Sequence, residues 1–499
     1  MTNLATIGDR GEPDATALVS RGRPTTYGEL ADQVARLRGG LARLGVEPGD
    51  RVALLAANNP WFVVGYLATL GAGAVAVPLN PASPAAELRA ELNAVGPRVA
   101  MVGASGRDAM AGLGAGATPL EHVLVPDGVD LAGATGLDEV MDGEPGAIAA
   151  RDDDDLAVLV FTSGTGGSPK AAMLTHGNLL ANLEQMQRHP GRRLDPDDVA
   201  FGVLPAFHIF GLNVVIGLTL YAGASMVLVE RFDPASALET IKNHRITIVA
   251  GAPPMFQAWA TMPDADPGAL RSVRLAVSGA APLPPEVGAA FEARYGVPLF
   301  QGYGLTEASP TVTSSVVGGT PRPGSIGCAL PGIEVRLVDD DGEDALHGDE
   351  GEIWVRGPNV FAGYWKDAEA TSAALTPDGW LRTGDVAIAD DDGYLYLVDR
   401  IKDLVIVSGF NVYPAEVEDV LLEHPGVAEV AVVGMSHPHT GETVRAFVVV
   451  APAAHLEEDE VIEFCAGRLA RYKCPTKITF VEELPHGLGG KLLRRALRS

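Results

Sequence analysis

Up to about residue 300 the chain alternates helical and strand periods, and from about residue 320 the period falls to two; no other feature restricts its fold so sharply. Thr26-Tyr-Gly-Glu29 has the form of a capping box, in which a hydroxyl and a carboxylate satisfy each other's free backbone N–H groups. It opens a helix with Leu30, Val34, Leu37 and Leu41 on one stripe, and Arg51-Val-Ala-Leu-Leu-Ala56 then reads as a strand. Recurrence of this unit predicts an α/β fold of mostly parallel, helix-covered sheets. Further on, Ile333, Val335 and Leu337 alternate with Glu334 and Arg336 ahead of an Asp341-Gly342 turn. Asp392-Gly393 separates Val386-Ala-Ile-Ala389 from Tyr394-Leu-Tyr-Leu-Val398, a second antiparallel hairpin. Residues 103–150, rich in Gly, Ala and Asp, are expected as surface connections.

A chain of 499 residues exceeds one ordinary core. We expect a large N-terminal domain over 1–399, whose residues from about 320 to 399 form a β-rich subdomain. After Arg400 comes a small α+β domain over 403–499. There Pro414 starts a helix with Val417, Val420 and Leu421 inward, strands cover Val430–Val433 and Phe447–Val450, and a helix carries Val461, Ile462, Cys465 and Leu469.

Formal net charge is −27, from 64 acidic and 37 basic residues, which argues against a nucleic-acid or anionic-membrane binder. It leaves anionic ligands open, because charges are screened beyond roughly 8 Å and a few lysines decide the potential of a cleft. Cys328, Cys465 and Cys474 are too scattered for a disulfide framework or a metal cluster. With no basic-then-apolar leader at the N-terminus, reduced thiols in the cytoplasm are expected. Ile209 to Val229 carries no charge and is long enough to span a bilayer, but Gly211, Gly217 and Gly223 interrupt it. A buried helix, a glycine break and a core strand is the better reading, with at most peripheral membrane contact.

The apolar run Leu156-Ala-Val-Leu-Val-Phe161 leads into Thr162-Ser-Gly-Thr-Gly-Gly-Ser-Pro-Lys170, which gathers glycines, hydroxyls and an ammonium. A turn of that composition after a strand can aim backbone N–H groups and a cation at one polyanion. The Walker A spacing cannot be written through it, and a flexible surface loop has the same composition. Gly302-Tyr-Gly304 is not a dinucleotide fingerprint, since Glu307 stands where the third glycine belongs.

That loop, together with Tyr303-Gly-Leu-Thr-Glu307, Trp380-Leu-Arg-Thr-Gly-Asp385 and Gly490-Lys491 in this order, resembles the adenylate-forming enzymes from about Pro24 to Arg498. Within them the chain looks most like the fatty acyl-CoA ligase branch. The resemblance implies that a carboxylate attacks the α-phosphorus of ATP, giving acyl-adenylate and pyrophosphate, and that the thiol of coenzyme A then displaces AMP. Both reactants of the first step are anions, so the work is electrostatic and positional.

By the same resemblance Thr162, Ser163, Gly164, Thr165, Gly166, Gly167 and Lys170 grip the β- and γ-phosphates. Here Gly166 replaces a second threonine and Ala171 a glycine, which implies altered nucleotide affinity. Thr306 contacts phosphate and Glu307 binds Mg²⁺. Gly302, Tyr303 and Gly304 hold one face of adenine, and Gly279, Ala280 and Ala281 the other. Asp385 takes the ribose hydroxyls, Arg400 reaches ribose or phosphate, and Lys402 is the hinge within 400–402 about which the small, mobile domain turns. Lys491 bridges the attacking carboxylate and the α-phosphate. In its loop, His486 sits where Lys or Arg is common and Gly489 where a hydroxyl residue is. Pro485 and Gly490-Lys491 match the pattern at which related enzymes are silenced by acetylation, so a lysine acetyltransferase and deacetylase are implied partners. Ser408, Gly409 and Phe410 line the path of CoA's pantetheine arm.

Pro205-Ala-Phe-His-Ile-Phe-Gly-Leu212 matches the acyl-pocket motif, with His208 at the gating position. Phe207, Gly211, Gly251, Gly279 and Gly304 are the other implied pocket residues. Peptide-synthetase domains place an aspartate at the gating position to hold an amine; His208 in an apolar setting disfavours an amino acid. A medium- or long-chain fatty acid is the expected substrate. An aryl-CoA ligase of benzoate or cinnamate type, an acyl-AMP ligase loading a carrier protein, and a non-catalytic acyl-nucleotide sensor stay open, as does a homodimer.

Overall fold

A computed structural model describes residues 2–114, 116, 118–162, 170–339, 341–346, 348–400, 404–451, 454–485 and 494–497, with residues 399, 400, 415, 495 and 496 described through their backbone alone. The Thr26 capping box closes as expected: Glu29 N–H donates to Thr26 Oγ1 at 3.1 Å and Thr26 N–H to Glu29 Oε2 at 2.8 Å. On the helix Tyr27–Arg43 that it starts, Leu30, Leu37 and Leu41 are fully buried.

Two large sheets build the N-terminal domain. One has seven strands in the order Thr135–Gly136, His122–Val125, Val99–Val102, Arg51–Leu55, Val75–Pro78, Leu156–Thr162 and Lys170–Thr175; only the last pair is antiparallel. The other has nine, with a parallel centre that includes Val199–Gly202, Ile248–Gly251, Leu275–Ser278 and Leu299–Gly304. The helix Pro60–Gly71 is apolar on every side and buried from Phe62 to Gly71, as a helix inside a shared core must be. Just ahead of it, Asn58 Nδ2 donates to the carbonyls of Gly202 at 3.0 Å and Leu204 at 2.7 Å, and its Oδ1 accepts from Ala206 N–H at 2.9 Å. That buried amide ties one sheet to the start of the Pro205–Leu212 segment.

Both expected hairpins form inside a four-stranded antiparallel sheet of Glu334–Val338, Gly351–Arg356, Leu381–Ala389 and Leu395–Arg400. The smaller C-terminal domain pairs Val427–His437 with Gly441–Val450 and adds Val405–Val407, Phe410–Val412 and Lys477–Val481. Helices Pro414–Leu422 and Glu458–Ala466 cover it over a core of its own that contains Val417, Leu421, Val432, Val444 and Cys465.

Three expectations need correction. Residues 103–150 are more than connections, because His122–Val125 and Thr135–Gly136 extend the seven-stranded sheet. The small domain's central strands, Val427–His437 and Gly441–Val450, are longer than the expected Val430–Val433 and Phe447–Val450, and Val427, Val444 and Ala446 join the core outside those bounds. Leu469 lies past the end of the helix Glu458–Ala466, though it is buried in the same core. Ile209 to Val229 divides as expected, into a π-helix Phe210–Gly217, one turn Leu218–Tyr221, and the strand Ser225–Leu228. Among the described residues no helix is long and apolar enough to cross a membrane.

Candidate active site

Parallel strands open at their carboxyl ends, where the turns that follow leave a crevice. In the nine-stranded sheet those ends carry Gly279-Ala280-Ala281 and Gly302-Tyr303-Gly304, and both triplets line one cavity of about 400 Å³. Ala280 takes φ +66°, a left-handed conformation unusual for a residue with a side chain. A Cβ on Gly304 would stand 2.0 Å from the carbonyl oxygen of Pro310, so the two chain segments lie as close as backbone allows.

The same cavity takes in Thr162, Lys170, Thr306, Glu307 and Asp385, which are drawn from three different sheets and their loops. Tyr303 OH donates to Asp385 Oδ2 at 2.8 Å, fixing the phenol against the carboxylate. Thr383 Oγ1 holds the turn before Asp385: it donates to Ile353 O at 2.7 Å and accepts from Asp385 N–H at 3.1 Å. Glu307 is buried, and its Oε1 accepts from Tyr364 OH at 2.7 Å. Burial and the Glu307 carboxylate push that phenol well above its usual range, so it stays a donor. Lys170 Nζ lies 5.5 Å from the centre of the Tyr364 ring. Ser163, Gly164, Thr165, Gly166 and Gly167 lie outside the described residues, as do Lys402, Lys491 and the 486–490 loop, and Arg400 is described by its backbone alone.

Phe207 and His208 also line the cavity, whose wall includes the apolar Met186, Val214, Leu218, Ile248, Leu275 and Val277 together with His189, Arg192 and Thr219. His208 Nδ1 accepts from Phe210 N–H at 3.3 Å, and burial pushes the imidazole down to about 4. It is therefore neutral at physiological pH, a wall and not a cation.

A second cavity of about 620 Å³ adjoins the first. His208, Phe210, Ala280, Gly409 and Phe410 belong to the walls of both, so the two meet there. Ser408, Arg231 and His439 also line the second. Gly409 has φ +87°, and a Cβ on it would stand 3.1 Å from Ala252 Cβ; a side chain would narrow the junction. Phe410 stacks on Tyr472 with ring centres 4.6 Å apart and lies 6.1 Å from both Phe207 and His208. The small domain thus inserts its 408–410 loop between the two cavities.

Two glycines expected in the acyl pocket are absent from the wall of the first cavity. Gly211 borders only the second cavity, where a Cβ would meet the Pro205 carbonyl at 2.2 Å. Gly251 belongs to neither wall and faces Met255 and Phe256 in the core. The sequence reading missed Tyr364, Phe210 and Tyr472. No pattern around Tyr364 signals the first, since its partner Glu307 is brought to it by the tertiary fold.

The cavity thus carries both hydrogen-bonding groups, carboxylates among them, and many apolar side chains, and a second cavity meets it at His208 and Gly409. Residues 8–365 match the model of the AMP-binding enzyme family, and residues 416–491 that of the AMP-binding enzyme C-terminal domain. A feruloyl-CoA synthase from Amycolatopsis sp is 39% identical, over 98% of this chain and 96% of its own. A long-chain-fatty-acid–CoA ligase from Bacillus subtilis is 34% identical, over 97% and 91%. Among solved structures, a malonyl-CoA ligase in a ternary product complex with methylmalonyl-CoA and AMP aligns with a TM-score of 0.82 and 34% identity, covering 97% of this chain and 100% of that one. The chain belongs to the AMP-binding enzyme family, the adenylate-forming enzymes, as an AMP-forming acyl-CoA synthetase.

Proposed function

We propose that this synthetase activates a medium- or long-chain fatty acid with ATP and transfers it to coenzyme A. One observation carries the reading: many apolar side chains and the carboxylates of Glu307 and Asp385 line one cavity, which a second meets at His208 and Gly409. An uncharged hydrocarbon suits walls such as Val214, Leu218 and Leu275, which offer it no hydrogen-bonding partner.

In the first half-reaction a carboxylate oxygen attacks the α-phosphorus and pyrophosphate leaves. Lys491 is the cation that offsets the repulsion between the two anions. Tyr303 and the Gly279–Ala281 turn hold adenine, Asp385 and Arg400 the ribose and its phosphate, and the Thr162–Lys170 loop the outer phosphates. Mg²⁺ suits Glu307, because that ion takes one or two carboxylates and completes its shell with phosphate oxygens and water. Tyr364 OH orients the Glu307 carboxylate, which would hold the metal. In the second half-reaction the thiol attacks the acyl carbon, the bond to AMP breaks with its electron pair on AMP, and the thiol proton passes to solvent. Ser408, Gly409 and Phe410, at the junction of the cavities, suit this step. The two halves need different groups at one place, which supports a domain boundary with 1–399 on one side, 403–499 on the other, and 400–402 as hinge.

Assaying AMP release across a panel of acids, with and without CoA, tests the reading. Dodecanoate is expected to outperform short and amino acids, with thioester formed only when CoA is present; acyl-adenylate that accumulates unchanged by CoA would point to a carrier protein as acceptor. Lys491→Ala should lower pyrophosphate release by about 10²–10³-fold. A variant with undiminished release contradicts the role. An aryl acid is the second reading, favoured by the 39% identity to a feruloyl-CoA synthase, and a higher kcat/KM for ferulate than for dodecanoate would establish it.

A further inference from the structure

A buried ion cluster joins the two domains on the wall of the first cavity, where Glu87, Glu91 and Lys473 are all lining residues. Lys473, in the small domain, is 4% exposed; Glu87 and Glu91, one turn apart on the large domain's helix Ala85–Val95, are 7% and 6% exposed. Lys473 Nζ lies 2.5 Å from Glu87 Oε1 and 2.7 Å from Oε1 of Glu416, on the small domain's own helix Pro414–Leu422. The other Glu87 oxygen accepts from Ala470 N–H at 2.7 Å. One large-domain carboxylate therefore grips both the ammonium and the backbone of the segment that precedes it.

That segment is the one behind the 408–410 loop. Tyr472, adjacent to Lys473, stacks on Phe410, which faces Phe207 and His208 at the acyl cavity. Lys473 fixed against Glu87 therefore fixes Tyr472, and through it the loop.

Resting on the ligase reading above, we propose that Lys473 is a positioning residue that, through Glu87, holds the small domain with Ser408–Phe410 at the acyl cavity and so serves thioester formation, not adenylation. The pair Lys473–Glu416 lies within the small domain and would suffice if the lysine only supported that fold. The contact with Glu87 crosses between domains and serves no such purpose. The cluster also holds more carboxylates than cations. Oε2 of Glu91 and Oε2 of Glu416 find no hydrogen-bond partner among the described residues, and burial, then the charge of Glu87, raise the Glu91 carboxyl to about 8. Buried ion pairs gain little net free energy over their desolvation, but stranding one member is costly. Such a contact is specific in geometry yet releasable, as suits a domain that must present different groups in turn.

Glu87→Gln tests this without touching the small domain, with Lys473→Met as the harsher companion. In the full-length enzyme, single-turnover conversion of premade acyl-adenylate by saturating CoA should fall at least tenfold, while pyrophosphate release from ATP and acid stays within about twofold. Equal losses in both half-reactions, or no loss in the second, overturn the proposal. A second readout needs no substrate: the distance between nitroxides attached at Glu139→Cys and Glu463→Cys, exposed positions on the two domains. A narrow distribution that Glu87→Gln broadens supports the proposal, and an unchanged one overturns it. Should the unmodified enzyme form no adenylate from any acid, the ligase reading fails, and the distance measurement alone decides the role of Lys473.

Discussion

Gly304 illustrates how tightly the backbone closes around the first cavity. Because a methyl group there would press on the Pro310 carbonyl, Gly304→Ala must shift one strand against its neighbour. Overpacking of this kind costs about 1–3 kcal/mol, so in a domain of this size the variant should melt about 1–4 °C lower and show a raised KM for ATP. Calorimetry and initial rates check both, and unchanged values would show that the two segments yield freely. Which side chains share the cavity was largely legible: Thr162, Lys170, Tyr303, Glu307 and Asp385 stand far apart in sequence, yet each sits in a recognisable motif. Tyr364 and Lys473 were not legible, because each acts through a partner that only the tertiary fold supplies. Gly251 misled for a related reason. A glycine required by a neighbouring Phe256 ring looks the same in sequence as one required by a ligand.

Among the elements, the N-terminal turn of helix Leu4–Asp9 depends on a histidine. Leu4 N–H donates to His176 Nδ1 at 3.0 Å, and His176 is fully buried at the start of helix His176–Arg188. Burial, then the Arg151 charge, push its imidazole down to about 4. The unfolded chain binds the proton with an ordinary pKa near 6.5, so acid favours unfolding: the stability is complete above that value and is lost as pH falls toward 4. Between about pH 7.5 and about pH 5 this amounts to about 2 kcal/mol. His176→Gln, whose carbonyl oxygen can still accept from Leu4, should flatten the fall in melting temperature over that range; an unaltered fall would assign it to other groups. Elements with a clear period or cap were the ones the sequence revealed, such as the helix after Thr26 and the hairpin around Asp392-Gly393. The strand His122–Val125 was hidden because only Leu124 and Val125 are buried in it, within a stretch whose composition is that of a loop. The turn end of the hairpin, Ser436–His437 against Gly441–Glu442, was hidden because residues there pair by backbone outside the core.

For the molecule as a whole, the alternation of periods foretold mostly parallel helix-covered sheets, an antiparallel subdomain and a small domain, since each must bury its own apolar face; that the parallel sheets number two came from the structure. How the small domain meets the large one was not foretold. That depends on Glu87, Lys473, Phe410 and Tyr472, none of which forms a pattern with its sequence neighbours. A net charge of −27 sets a repulsive background for two anionic substrates, which the enzyme must overcome locally. The central claim is that carboxylate and ATP unite through an acyl-adenylate before the thiol enters. Running the complete reaction with a fatty acid labelled with ¹⁸O in its carboxylate tests this most directly. The adenylate route delivers a heavy oxygen to AMP, because the bond broken by the thiol leaves a carboxylate oxygen on phosphorus. AMP free of label, with the heavy oxygen in orthophosphate or retained wholly in the acid, would contradict it.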